Sequence, residues 1–303
     1  MLCIAVLIAA GYQTYATLQD AVRDIGFHLL FIHGWVSATY ESIAVPLWSL
    51  AVEIQFYLLF PFFALAFVRR PLLTAFGMIA VGNAWRLWSL FSSHYFFEQR
   101  LNQLPAHLDF FAAGMLCAFA YAWIATRRPR WATRSTVFSA LMVAGFAAFW
   151  LLVSDCYNHR FDREWAQPWK VEWDTALAVT FLAMGLGALF AARPLQRALA
   201  NPLLLFLAAI SYNLYLWHLP IVKTLIAHRI PPAATADPHD DRLWMLAFEF
   251  VAIPIALAFA AAITYGFERP ILRWAKRVER RGTGSAGPAR GAPAAPLASG
   301  PTS

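Results

Sequence analysis

Apolar residues fill this chain in long blocks, and polar residues collect in the gaps between them. Eight blocks are each roughly 17 to 25 residues long, the length an α-helix needs to cross the hydrocarbon core of a bilayer. Their approximate limits are 1–19, 46–68, 71–91, 105–125, 135–154, 173–192, 203–227 and 243–267. The stretch from Ile25 to Val36 is apolar but short, and it reads as an interfacial or re-entrant piece. The pattern predicts an all-α fold, a polytopic transmembrane helix bundle of about eight spans within residues 1–277, with a tail at 278–303. From Gly282 the tail is Gly, Ala, Pro and Ser with one Arg. It has too little apolar area to fold and is expected to be disordered.

Charge gives the bundle a direction. Arg69 and Arg70 follow the second block, and Arg127, Arg128, Arg130 and Arg134 follow the fourth. Arg193 and Arg197 follow the sixth, and Arg269, Arg273, Lys276, Arg277, Arg280 and Arg281 follow the eighth. The remaining gaps are acidic or balanced. This alternation is what the positive-inside rule demands, and it predicts that both termini are cytoplasmic. The longest outer loop spans about 155–172, where Trp165 and Trp169 fit an interfacial aromatic belt.

Composition narrows the class further. The chain of 303 residues is 60% hydrophobic and 14% charged, with 13 Trp, 10 Tyr and 25 Phe. Soluble domains carry about 25% charged residues. The mean hydropathy is +0.53. A net charge of +7 does not point to nucleic acid, because the basic residues sit in short clusters beside apolar runs. Cys3, Cys117 and Cys156 are too far apart for a metal or disulfide framework, and no metal is expected. No internal repeat supports an inverted-repeat transporter. The first ten residues have no basic flank, so they do not read as a cleaved signal peptide.

Ionisable residues at membrane depth are the short list for chemistry: Glu53, Arg86, His107, Asp109, His218, Lys223 and Glu249. A charge at the bilayer centre costs roughly 2.5–3.5 kcal/mol on insertion scales. Glu53 either carries function or, protonated, ties two helices together. Ser49, Glu53, Phe56 and Phe60 share one helical stripe. Ser211, Tyr215 and His218 share another, and Pro220 interrupts the backbone just beyond. His107 and Asp109 are two residues apart and point to different faces. Gly114 reads as a site of close helix packing. Arg86 either pairs with a carboxylate across helices or snorkels outward. Glu268 reads as the N-terminal anchor of the basic helix after it.

Four blocks in order then carry a resemblance. Trp48-Ser49-Leu50-Ala51-Val52-Glu53-Ile54-Gln55-Phe56-Tyr57 is similar to a Trp-Ser-Leu-x-x-Glu-x-Gln-Phe-Tyr signature. Asp109 to Gly114 is similar to Asp-x-Phe-x-x-Gly. Ser211 to Pro220 is similar to Ser-Tyr-x-Leu-Tyr-Leu-Trp-His-x-Pro, and Glu268-Arg269-Pro270 to a closing Glu-x-Pro. Over residues 1–277 the chain resembles the integral-membrane acyltransferase family three. That group O-acylates lipopolysaccharide O-antigen, nodulation factors, exopolysaccharides and related glycans.

The resemblance implies an enzyme of the bacterial inner membrane. It would move an acyl group, commonly acetyl, from an acyl-coenzyme A donor to a hydroxyl of a glycan or lipid-linked glycan. It implies Glu53 in catalysis with His218 in support, and Trp48, Ser49, Asp109, Ser211, Tyr215 and Glu268 in substrate binding. It also implies two or three spans ahead of residue 1, bearing an Arg or Lys and a His about eleven residues later that serves as base. This sequence holds neither, and the expectation is a start assigned downstream of the true one. Two other classes remain open: a flippase for a lipid-linked glycan using Glu53 and His218 as a proton relay, and an inactive relic.

Overall fold

The computed structural model describes Leu7, residues 13–232 and residues 241–283. All regular structure among them is helical. The main helices are α1 (Leu18–Leu29), α2 (Leu47–Arg69), α3 (Pro71–Ser89), α4 (His94–Leu101), α5 (Leu108–Arg127), α6 (Ser135–Asn158), α7 (Arg163–Phe190), α8 (Pro202–Ala227), α9 (Arg242–Ile263) and α10 (Arg269–Thr283). Short helices at Pro129–Ala132 and Arg193–Leu199 connect α5 to α6 and α7 to α8. A π-helical turn, Thr264–Glu268, joins α9 to α10.

Local sequence sets the ends. Thr17, Asp162, Asn201 and Asp241 cap α1, α7, α8 and α9, each side-chain oxygen accepting from a backbone N–H of the first turn. Pro71 and Pro202 open α3 and α8, where a missing N–H costs no hydrogen bond.

Six helical stretches among the described residues are long and apolar enough to cross a membrane: Leu47–Arg69, Leu104–Arg127, Ser135–Asn158, Glu164–Phe190, Pro202–Ala227 and Arg242–Glu279. Only 11–28% of each span is buried in protein, so most of its surface is left for lipid. The chain is a multi-pass membrane protein.

Among the described residues, this count differs from eight at two blocks. The block at 1–19 falls largely outside the described residues, and its end is not continuous helix, because residues 13–17 are irregular and Thr17 caps a new one. The block at 71–91 does form a helix of 19 residues, α3. It is long enough to cross but less apolar than those six, since Asn83 and Arg86 lie in it and turn into the protein.

The outer loop expected at 155–172 contracts to residues 159–162, because residues to either side are helical and Asp155 and Lys170 find partners in the bundle. Lys170 donates to Glu98 at 2.8 Å, and buried Trp169 donates through Nε1 to Asp155 at 3.0 Å. Trp169 is thus a packed residue between α6 and α7. These two helices pair closely over small residues, and a Cβ on Gly187 would lie 2.6 Å from the Met142 nitrogen. Gly114, expected at such a contact, makes none: a Cβ added to it would meet nothing within 4 Å, and it lines an open apolar groove instead.

Two apolar clusters hold the polar residues of the bundle in register. Val52, Phe56, Met78, Leu104, Leu108 and Ala112 join α2, α3 and α5. Ile43, Ala44, Leu47, Leu216 and Trp217 join the segment before α2 to α8.

Candidate functional site

The N-terminal end of α2 meets α8 across a polar seam. Ser49 Oγ and Tyr215 Oη share a hydrogen bond at 2.9 Å, although 166 residues separate them. One turn further, Glu53 is exposed and accepts a hydrogen bond from the Tyr57 hydroxyl. On α8, His218 Nδ1 lies 2.6 Å from the Tyr215 carbonyl oxygen. A carbonyl can only accept, so Nδ1 carries a ring proton. Ser211, Tyr215 and His218 line a groove of about 440 Å³ with Ala252, Ala256 and Leu257 of α9. Ser211 itself bonds within its helix, to Ala208 O at 2.9 Å.

The other candidate residues fall into three further contacts. Trp48 stacks on His107, with ring centroids 5.4 Å apart, and Phe56 stacks on Phe111 at 3.7 Å, so α2 and α5 meet ring to ring. Asp109 is buried and held by Arg86 Nη2 at 2.7 Å and by the Thr175 hydroxyl at 2.8 Å. Arg86 also donates to Ala106 O, and Asn83 donates to Thr175, which closes the cluster between α3, α5 and α7. Glu268 accepts from Asn213 Nδ2 at 2.7 Å, and the same nitrogen reaches Thr264 at 2.9 Å. Asn213 therefore ties α8 to the π-helical turn, so Glu268 faces α8 in addition to preceding α10. Lys223 and Glu249 are exposed.

Ser49 and Tyr215 thus meet, with Glu53 and His218 one turn along their own helices, while Asp109 and Glu268 sit in separate contacts. Trp48 borders the first group through α2. Sequence reasoning missed a further group in the segment before α2. Asp24, His28 and His33 are all buried. The two imidazole rings stack in parallel, 3.9 Å apart and 5° from coplanar. Asp24 lies 3.1 Å from His28 Nδ1 and accepts from the hydroxyls of Tyr15 at 2.9 Å and Ser42 at 2.7 Å. Burial pushes the His33 pKa down to about 3, with neighbouring His28 adding to the effect. Burial also lowers that of His28, against the opposing pull of Asp24. Both rings are neutral near pH 7. The i, i+4 spacing of Asp24 and His28 was the available signal.

Gln55 was also missed as a positioning residue. Its Nε2 donates to Phe31 O at 2.6 Å, and its Oε1 accepts from Trp35 Nε1 at 3.3 Å. The helix that carries Glu53 thereby holds the histidine segment.

Chemically, the arrangement offers a carboxylate, hydroxyls and neutral imidazoles, the groups that bind and deprotonate a hydroxyl. Among the described residues no cluster of three or more His, Cys, Asp or Glu side chains is placed to hold a metal ion. No curated protein and no solved structure matches the chain. The family model of an acyltransferase domain, acyltransferase family three, matches residues 1–267. The chain belongs to this family and is a membrane acyltransferase.

Proposed function

We propose that this protein transfers an acetyl or related acyl group from acyl-coenzyme A to a hydroxyl of an exported or cell-surface glycan, in the bacterial inner membrane. One observation carries the reading. The Ser49–Tyr215 hydrogen bond at 2.9 Å joins the Glu53 helix to the His218 helix beside an open groove. An O-acyl transfer needs a bound hydroxyl and a base near it, and that seam offers polar groups at a solvent- or lipid-open edge. The basic residues Arg69 and Arg70 lie at the far end of α2, roughly 30 Å along the helix axis from Ser49. With the positive-inside rule, this supports a seam toward the outer face, where an exported glycan would arrive. Arg127, Arg128 and Arg130, at the inner end of α5, supply positive charge for the phosphates of the donor.

The test is transfer of radiolabelled acetyl from acetyl-coenzyme A to membrane glycans by membranes holding the protein. Wild type is expected to label the glycan fraction, and Glu53→Gln, inserted at the same level, is expected to lose the label. Equal labelling by Glu53→Gln would remove Glu53 from the site. Transport of unlabelled lipid-linked glycan without any acylation would favour the flippase.

A further inference from the structure

The last span continues as helix well past the bilayer. Arg242–Glu279 is 38 residues of helix, roughly 57 Å at 1.5 Å per residue. The hydrocarbon core is about 30 Å thick, and α9 alone, with 22 residues, is long enough to cross it. Asp241 caps α9 at one edge, and charge returns at Glu268 and Arg269 at the other. The π-helical turn therefore falls at the boundary, and α10 begins at headgroup level. Arg69, Arg127 and Arg193 border the same side of the membrane by the alternation of charge along the chain.

Within α10 the residues divide by face. Arg269, Arg273, Lys276 and Arg277 recur at i, i+4, i+7 and i+8, one stripe of a helix. Ile271, Trp274, Ala275 and Val278 recur at i, i+3, i+4 and i+7 on the opposite side. That apolar side is uncovered: Ile271, Trp274 and Val278 are 45%, 67% and 50% exposed. The base of the helix, by contrast, is fixed. Asn213 holds Thr264 and Glu268 of the π-helical turn, and the Arg269 guanidinium lies 4.2 Å over the Tyr265 ring. An apolar face bearing a Trp, backed by cations and anchored at the edge of a bilayer, complements a negatively charged lipid surface.

We propose that α10 is a membrane-surface helix that binds anionic phospholipid headgroups. Ile271, Trp274 and Val278 enter the boundary between headgroups and acyl chains, and Arg269, Arg273, Lys276 and Arg277 bend back to the headgroup phosphates. The π-helical turn, a kind of site where helices kink, takes the chain from crossing the bilayer to lying along it. The occupant is the lipid surface and not a soluble phosphate, because a free anion gives the apolar face nothing to bury itself in. The inference does not depend on the acyl-transfer reading.

The test uses the full chain, with Cys3→Ala, Cys117→Ala and Cys156→Ala, in lipid nanodiscs open to water on both sides. A water-soluble maleimide then labels a single Val278→Cys on the apolar face or a single Lys276→Cys on the basic face. In discs containing phosphatidylglycerol, Val278→Cys is expected to be shielded and Lys276→Cys to react freely. Adding Arg273→Gln and Arg277→Gln is expected to speed labelling of Val278→Cys roughly 30-fold, at about 1 kcal/mol for each cation near an anionic surface. Discs of phosphatidylcholine alone, or raised salt, are expected to weaken the shielding in the same direction. Equal labelling at the two positions in phosphatidylglycerol overturns the surface helix. Shielding that persists unchanged in phosphatidylcholine overturns the anionic partner and sets the apolar face against protein or neutral lipid. Shielding that appears only when coenzyme A is added assigns the cations to a soluble phosphate and overturns the proposal too.

Discussion

Two buried polar groups in this molecule are built in opposite ways. In the Arg86–Asp109–Thr175 cluster most of the charged atoms close on one another: Arg86 Nη2 reaches both Asp109 and Thr175, and Thr175 reaches Asp109, with Arg86 Nε left unpaired among the described residues. In the Asp24–His28–His33 group only the Asp24 side closes, and three ring nitrogens stay unpaired among the described residues. Both lie away from solvent, so burial alone does not separate them. What separates them is where the hydrogen-bonding capacity ends. The first group spends most of its capacity on ties between helices, and the second leaves most of its ring nitrogens unspent.

The closed cluster breaks hardest. Arg86→Met leaves the Asp109 carboxylate buried without its cation, and the expected loss is about 3–5 kcal/mol. Thermal unfolding in detergent measures it. Arg86→Met combined with Asp109→Leu is expected to recover most of that loss, because neither charge then remains.

The open group breaks with acid. A histidine whose folded pKa lies below its unfolded value of about 6.5 contributes full stability above that pH and loses it as pH falls. For His33, at about 3 in the folded state, the loss is expected to reach about 2 kcal/mol by pH 5. His33→Phe removes this slope, and unchanged acid sensitivity in that variant would place its origin elsewhere.

The smallest effect lies at the exposed seam, which serves as the reference. A double-mutant cycle of Ser49→Ala and Tyr215→Phe is expected to give a coupling of about 0.6 kcal/mol, the mean for hydrogen bonds between membrane helices. A coupling as large as that of the buried cluster would mean that the seam is closed in the membrane.

Much of the bundle was legible from hydropathy, because a span in lipid must be apolar along most of its length. Errors arose where polar residues had unseen partners. Lys170 and Glu172 made residues 155–172 look like a loop, yet Glu98, 72 residues away from Lys170, accepts the lysine inside a packed helical hairpin. For Arg86 the pairing across helices, one of its two readings, is the one found, with Asp109 as partner. Its partner is 23 residues away, a separation with no local spacing rule. Of the site, the Ser49 and His218 stripes were readable from i, i+4 spacing. The stacked histidines were not, since a spacing of five is not helical and a left-handed Phe leaves no mark in sequence.

The Ser49–Tyr215 bond also sets a schedule. Chains grow at about 5–20 residues per second, so Tyr215 emerges about 8–33 s after Ser49. Arg86 and Asp109 are separated by about 1–5 s on the same clock. The inner cluster can lock while the chain is still being made. Until α8 is delivered, Ser49 has the Pro46 carbonyl on its own helix, 3.0 Å away, and no partner across the seam. The face of α2 that bears Glu53 is therefore completed only once α8 arrives, and a ribosome stalled between α7 and α8 would leave that edge still open to the insertion machinery.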